Sequence, residues 1–247
     1  MISEWIVILV IIFCILVFYY SQSIGQYSLS QMDEDHVAQQ LSHVWEERRP
    51  VVVSKCKNRR TIWSADALKQ TRFWGAQPIW GAYEADPEHA LPPTRSQEVT
   101  WATILGVATM ESSALKEWFS SNILSPVCTF HTEAHIGAEG LRQTYGYATS
   151  FTCTQGTARC ILLHSAQKSK LPPGWTNLRW KDATVAHHPL WTQVQYIEVL
   201  LRPGTVLLVP PHWLTAIEPV EPSEPIWWTR TAVHHPISWL ANKWNSE

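Results

Sequence analysis

Excess charge of either sign is missing from this chain of 247 residues: 19 Lys and Arg face 21 Asp and Glu, a net charge of −2. The one dense basic patch, Lys55, Lys57, Arg59 and Arg60, is short, so the footprint of a nucleic-acid binder is lacking. Zinc-type CxxC spacing is missing too, because Cys14, Cys56, Cys128, Cys153 and Cys160 are scattered. No Asn-x-Ser/Thr acceptor occurs, which argues against a glycosylated ectodomain. The chain has no GxSxG elbow, Walker loop or HExxH helix, and its Ser, His and Asp residues show no spacing that implies a shared nucleophilic site. It has no internal repeat or low-complexity tract, and its length suits one ordinary domain with an appendage.

The long apolar run lies at the amino terminus. Residues 5–20, WIVILVIIFCILVFYY, together with 1–4 approach the ~20 residues that cross a ~30 Å hydrocarbon core. Trp5 at one end and Phe18, Tyr19 and Tyr20 at the other have the placement of interfacial aromatic anchors. A cleaved signal peptide would carry a positive leader, whereas this one has Glu4 and no Lys or Arg. The expectation is a retained transmembrane anchor over 1–20, a polar linker over 21–32 and one domain over 33–247. The lipid bilayer and other proteins of a membrane-associated assembly are then the expected partners. The first basic residue past the run is Arg48, which leaves the side of the membrane open. The layout is similar to that of a protein of an organelle or virion inner membrane.

Within the domain, Val37, Leu41, Val44 and Trp45 form the stripe of an amphipathic helix over 33–49, stopped by Pro50 ahead of a strand at 51–53. Helices are expected over 64–72, 97–107 and 112–123, the last with Leu115, Trp118 and Phe119 on one side, and a strand over 77–83. From residue 127 the pattern turns to short apolar or alternating strands: 127–131, 147–153, 159–164, 196–201, 205–209, 213–217 and 226–234. Strands after a helical leader predict a closed or sandwiched β core buttressed by helices. Between 198 and 219, Pro203-Gly204 reverses the chain and Pro210-Pro211 ends the next strand. Cys153 and Cys160 flank the Gln155-Gly156 turn, as a facing pair or as buried free thiols.

Four segments carry a family resemblance: ERRPVVV at 47–53, IGAEG at 136–140, CTQGTARCILL at 153–163 and RPGTVLLVPPHW at 202–213. In this order they resemble the cupin-like, Jumonji-C branch of the iron and 2-oxoglutarate oxygenases, the group that includes the asparaginyl hydroxylases. The resemblance spans most of 33–239 and implies a mainly β fold with flanking helices, a double-stranded β-helix with its barrel core at about 127–235.

Iron catalysis in such a barrel needs a His-x-Asp/Glu pair and a distal His, which hold Fe(II) on one face. By the resemblance the pair falls at Gln143 and Tyr145 counting back from Gly156, or at Gly146 and Ala148 counting forward from Gly140. The distal position falls at Thr215 and the lysine that grips 2-oxoglutarate falls at Ala158. All are vacant of the required chemistry, so the implied protein is catalytically inactive, without metal or cofactor. It would be a structural or protein-binding component, with Trp227, Trp228, Trp239 and Trp244 as candidate interface residues among 15 tryptophans. One alternative is an active hydroxylase using Fe(II) and 2-oxoglutarate, with His131, Glu133 and His212 as a displaced metal set. A second is a metal-free small-ligand module whose pocket is lined by Gln143, Tyr145, Tyr147 and Thr215. The His187-His188 and His234-His235 pairs precede prolines, and adjacent strand residues face opposite ways, so neither pair chelates one ion.

Overall fold

The computed structural model describes residues 2–21, 27–57, 102–103, 106–120, 125–183, 189–221 and 226–238. Expected elements at 64–72, 77–83 and most of 97–107 lie outside these residues, as do His187, His188, Trp239 and Trp244.

Ahead of the barrel, α1 is Ile2–Ser21, β1 is Ser30–Asp33, α2 is Glu34–Glu46 and β2 is Val51–Ser54. The α2 stripe is as the spacing predicts, with Val37, Leu41 and Trp45 buried. The expected linker runs into β1, which pairs in parallel with β2, Ser30 opposite Val51. The next described helix, α3, is Val107–Trp118. It begins earlier than expected because Ser112 and Ser113 do not cap it: both hydroxyls donate back to the Thr109 carbonyl, at 2.9 and 2.8 Å, inside the helix.

The membrane-anchor expectation is corrected. Among the described residues no helix is long and apolar enough to cross a membrane. The single-pass topology and the membrane location fall with it, and so do the anchor roles of Trp5 and Phe18.

The remaining strands are β3 (Thr129–Ile136), β4 (Glu139–Gln143), β5 (Ala148–Gln155), β6 (Ala158–Leu163), β7 (Ile197–Leu201), β8 (Val206–Val209), β9 (Leu214–Pro219) and β10 (Trp227–His234). They form one sheet in the order β1-β2-β8-β5-β10-β3 and a second in the order β4-β9-β6-β7. From β3 to β10 the chain alternates between sheets, apart from the adjacent β6 and β7, and this is the jelly-roll order of a double-stranded β-helix. The domain is therefore mainly β, with helices on the outside, and cupin-like in topology. The Pro203-Gly204 turn, with Gly204 at φ 88 and a 2.9 Å bond from Thr205 N–H to the Arg202 carbonyl, carries β7 of one sheet into β8 of the other. It is not the loop of a paired hairpin.

Strand alternation gives each sheet an inner and an outer face. Inner residues Phe151, Leu162, Val199, Leu207, Val209 and Trp228 fill one end of the barrel. Outside, α2 and α3 cover Val51, Val53, Val206 and Leu208. The outer face of the second sheet packs Leu141, Ile161, Leu163 and Leu214 against Trp175, Trp180 and Trp191. Each fully buried aliphatic side chain contributes about 1.5–3 kcal/mol, so these three layers leave the other barrel end free to be polar.

Candidate functional site in the barrel mouth

On β3 the alternation puts His131, Glu133 and His135 on one face, and β10 runs antiparallel to it with Arg230 opposite Glu133. Arg230 donates to Glu133 from Nε at 2.9 Å and also from Nη2. Its Nη1 donates to both oxygens of Glu139, at 2.9 and 3.0 Å. Glu139 is shared with Arg142, whose Nη1 lies 3.0 Å from Oε1, and Arg142 Nε donates to Asn177 Oδ1 at 3.1 Å. His131 Nε2 is 3.4 Å and His135 Nε2 3.6 Å from the Glu133 carboxylate, and the His135 ring stacks on Trp228 at 4.1 Å. Glu133 is only 2% exposed. Burial alone would raise its carboxyl, but the His135 hydrogen bond and the Arg230 guanidinium outweigh that and hold it well below the usual carboxylate range.

Strand β4 supplies the opposite wall. Arg142 pairs with Thr215 of β9, and Gln143 pairs with Leu214. Gln143 therefore shares a face with the outward Leu141 and Leu214, while Arg142 is the side chain across from Thr215. The Gln143 carbonyl accepts from Lys168 Nζ at 2.7 Å, and its amide nitrogen lies 3.3 Å from His212 Nδ1. Burial lowers the Lys168 ammonium. After β4, Gly146 turns the chain at φ 96, and a Cβ there would stand 2.6 Å from the Val233 carbonyl oxygen. Only glycine fits, and this leaves Tyr145 47% exposed at the rim. On the other side of β4, an added Cβ on Gly140 would meet the Asn177 carbonyl oxygen at 2.1 Å, so the 175–178 segment lies directly on the strand.

Between these walls lies a pocket of about 350 Å³ lined by His131, Glu133, Arg142, Gln143, Tyr145, Thr149, Trp175, Thr215 and Arg230, among others. It brings together the three expected metal positions Gln143, Tyr145 and Thr215. Ala158 is not with them, since it is fully buried in the interior cluster beside Cys160 and Leu162. Gly146 and Ala148, the other register, provide a turn and an outward core residue. Tyr147 is outside the pocket lining and packs on Trp45 and Phe119.

The interface expectation is corrected for Trp227 and Trp228, which are both 0% exposed; the Trp228 indole N–H donates to the Gly137 carbonyl at 2.9 Å. The displaced metal set is corrected as well. His131 and Glu133 share a face, but His212 lies on the turn before β9, at φ 69, bonded to Gln143 and absent from the pocket lining. Cys153 and Cys160 belong to different sheets and are buried thiols not joined in a disulfide; burial and nearby Glu139 raise the Cys160 thiol.

Sequence reading missed Glu139, Arg142 and Arg230, which organise the pocket. A faint signal exists: Arg230 is the only charge in β10, and Glu139 and Arg142 bracket β4. The residues do not fit the iron centre that the resemblance implies. Arg142 and Thr215 hold the inward slots, Glu133 is gripped by a guanidinium that cannot ligate, and among the described residues no group of three His, Cys, Asp or Glu is placed to hold a metal ion.

No family model and no curated protein matches the chain. Solved structures that it resembles include Drosophila melanogaster CENP-C bound to CAL1, with TM-score 0.27, 6% identity and coverage of 43% of this chain and 60% of that one. Another is Peruvianin-I, a cysteine peptidase from Thevetia peruviana latex, with TM-score 0.28, 12% identity and coverage of 45% and 52%. A third is a Bacillus subtilis oxalate decarboxylase with Mn(II) centres, with TM-score 0.27, 14% identity and coverage of 44% and 24%. The match spans less than two thirds of each of these proteins, and overlaps this loose fix neither fold nor activity.

Proposed function

We propose that this chain is a catalytically inactive, Jumonji-C-like binding module in which the barrel mouth takes a ligand without metal or 2-oxoglutarate. The observation that carries the reading is the capture of Glu133, the one carboxylate on the inner face of β3, by Arg230. A ferrous ion would have to displace that guanidinium, and the two slots facing it across the mouth are Arg142 and Thr215. A polar pocket of about 350 Å³ remains, within the ~300–1,000 Å³ range of small-molecule sites. Burial of Trp227 and Trp228 weakens the protein-binding alternative at that edge. That alternative keeps one support, the exposed Leu190, Tyr196 and Leu200 near the Trp180–Trp191 pair.

The test is anaerobic purification of the full chain, reconstitution with Fe(II), and incubation with 2-oxoglutarate and oxygen. The expected outcome is substoichiometric iron and no succinate above a protein-free control. Iron near one per chain together with succinate formation would refute the proposal.

A further inference from the structure

Charge balance in the mouth restricts what can enter it. Glu133 and Glu139 are matched by Arg142 and Arg230 in one continuous network, so an ionic ligand would compete with ion pairs already made. A dianion would either face the Glu133 carboxylate or have to pull a guanidinium from its partner, and both oppose binding in a partly desolvated site. A neutral ligand meets neither obstacle.

Beyond that network the lining carries the His131 and His234 imidazoles, the Gln143 amide and the short, uncharged Thr144, Thr149 and Thr215 side chains. Thr215 and Thr149 hydroxyls make only long bonds to the Arg142 and Tyr145 carbonyls, 3.5 and 3.4 Å, and can still accept. Of the aromatic residues in the lining, Tyr145 is exposed and Trp175 half-buried, while Phe151 is fully buried. Threonine hydroxyls beside an accessible Tyr and Trp suit a molecule with a polar edge and an aliphatic ring face. We infer, resting on the metal-free binding reading above, that the mouth binds a neutral polyhydroxylated ring of monosaccharide size. At about 350 Å³ the pocket has room for one such ring and its water.

The test is saturation-transfer NMR on the full chain at neutral pH, with D-glucose, D-galactose, D-mannose and myo-inositol as neutral probes and succinate and 2-oxoglutarate as acidic ones. At least one neutral probe should bind and the acids should not. Thr215→Val, which removes the hydroxyl, should weaken that binding by about fivefold to tenfold. Tyr145→Ala, at an exposed rim position that does not threaten folding, should weaken it at least as much, while Val220→Ala, outside the pocket, should leave it unchanged. Binding of succinate alone would overturn this inference and leave the metal-free module standing, whereas binding of 2-oxoglutarate would overturn both. Absence of binding by every neutral probe, or neutral binding indifferent to both pocket variants, would also overturn it. Iron loading with succinate production is the separate result that would remove the underlying reading.

Discussion

Replacing Arg230 by methionine removes the guanidinium while keeping an unbranched apolar stem of similar reach. It leaves Glu133, 2% exposed, without the guanidinium and with His131 and His135 beside it, while Glu139 keeps Arg142. Breaking a buried pair from one side destabilises by about 3–5 kcal/mol. For a chain of this size, 1 kcal/mol moves Tm by roughly 2–4 °C, so Arg230→Met should melt roughly 6–20 °C lower at neutral pH. The pH dependence carries the sign. In the wild-type chain the Glu133 carboxyl is held low, so its stabilisation is full above the unfolded value of about 4.3 and is lost as pH falls toward the folded value. In the variant burial raises the same carboxyl, which favours the folded state in acid. The gap between the two proteins should therefore be widest near neutrality and narrow below about pH 4. Urea titrations across pH 3–8 measure it, with Glu133→Gln in the Arg230→Met background closing the cycle. A neutral-pH loss under about 1 kcal/mol, or a gap that widens in acid, would refute the claim that Arg230 neutralises a buried charge.

His235, 2% exposed and accepting from the Ser238 N–H at 3.0 Å, is lowered to about 4 by burial and by His234. The unfolded chain takes its proton near 6.5, so stability should fall from about pH 6.5 to 4, by on the order of 2–3 kcal/mol; His235→Asn should flatten that part of the curve of urea midpoint against pH. Gly146→Ala forces an ordinary residue to φ 96 and a Cβ within 2.6 Å of the Val233 carbonyl oxygen. It should destabilise by about 1–3 kcal/mol, and an unchanged urea midpoint would contradict the described turn.

Much of the barrel was legible because strands declare themselves by alternation and turn residues. The strands at 148–155, 158–163, 197–201, 206–209 and 227–234 fall within two residues of their expected bounds. Strand β4 was less visible: Glu139, Arg142 and Gln143 make EGLRQ read as polar loop, because the charges that fill the mouth are the residues whose polarity hides the strand. The same five residues set the limit on reading the site. Counting from a neighbouring turn lands on Gln143, yet strand periodicity is two, so an error of one position exchanges inside for outside. Gln143 bonds Lys168 and His212 near the rim, and Arg142 occupies the slot across from Thr215. Pairing of β3 with its sheet neighbour β10 joins Glu133 to Arg230, a separation no local pattern encodes.

Arg230 ties the two sheets together at the mouth. It sits on β10 of the larger sheet, holds Glu133 of β3 in that sheet, and through Nη1 holds Glu139 of β4 in the other sheet. The mouth is thus pinned by a permanently charged, non-ligating group. The stability of Arg230 variants and the binding tests on Thr215 variants are therefore independent measurements on one site.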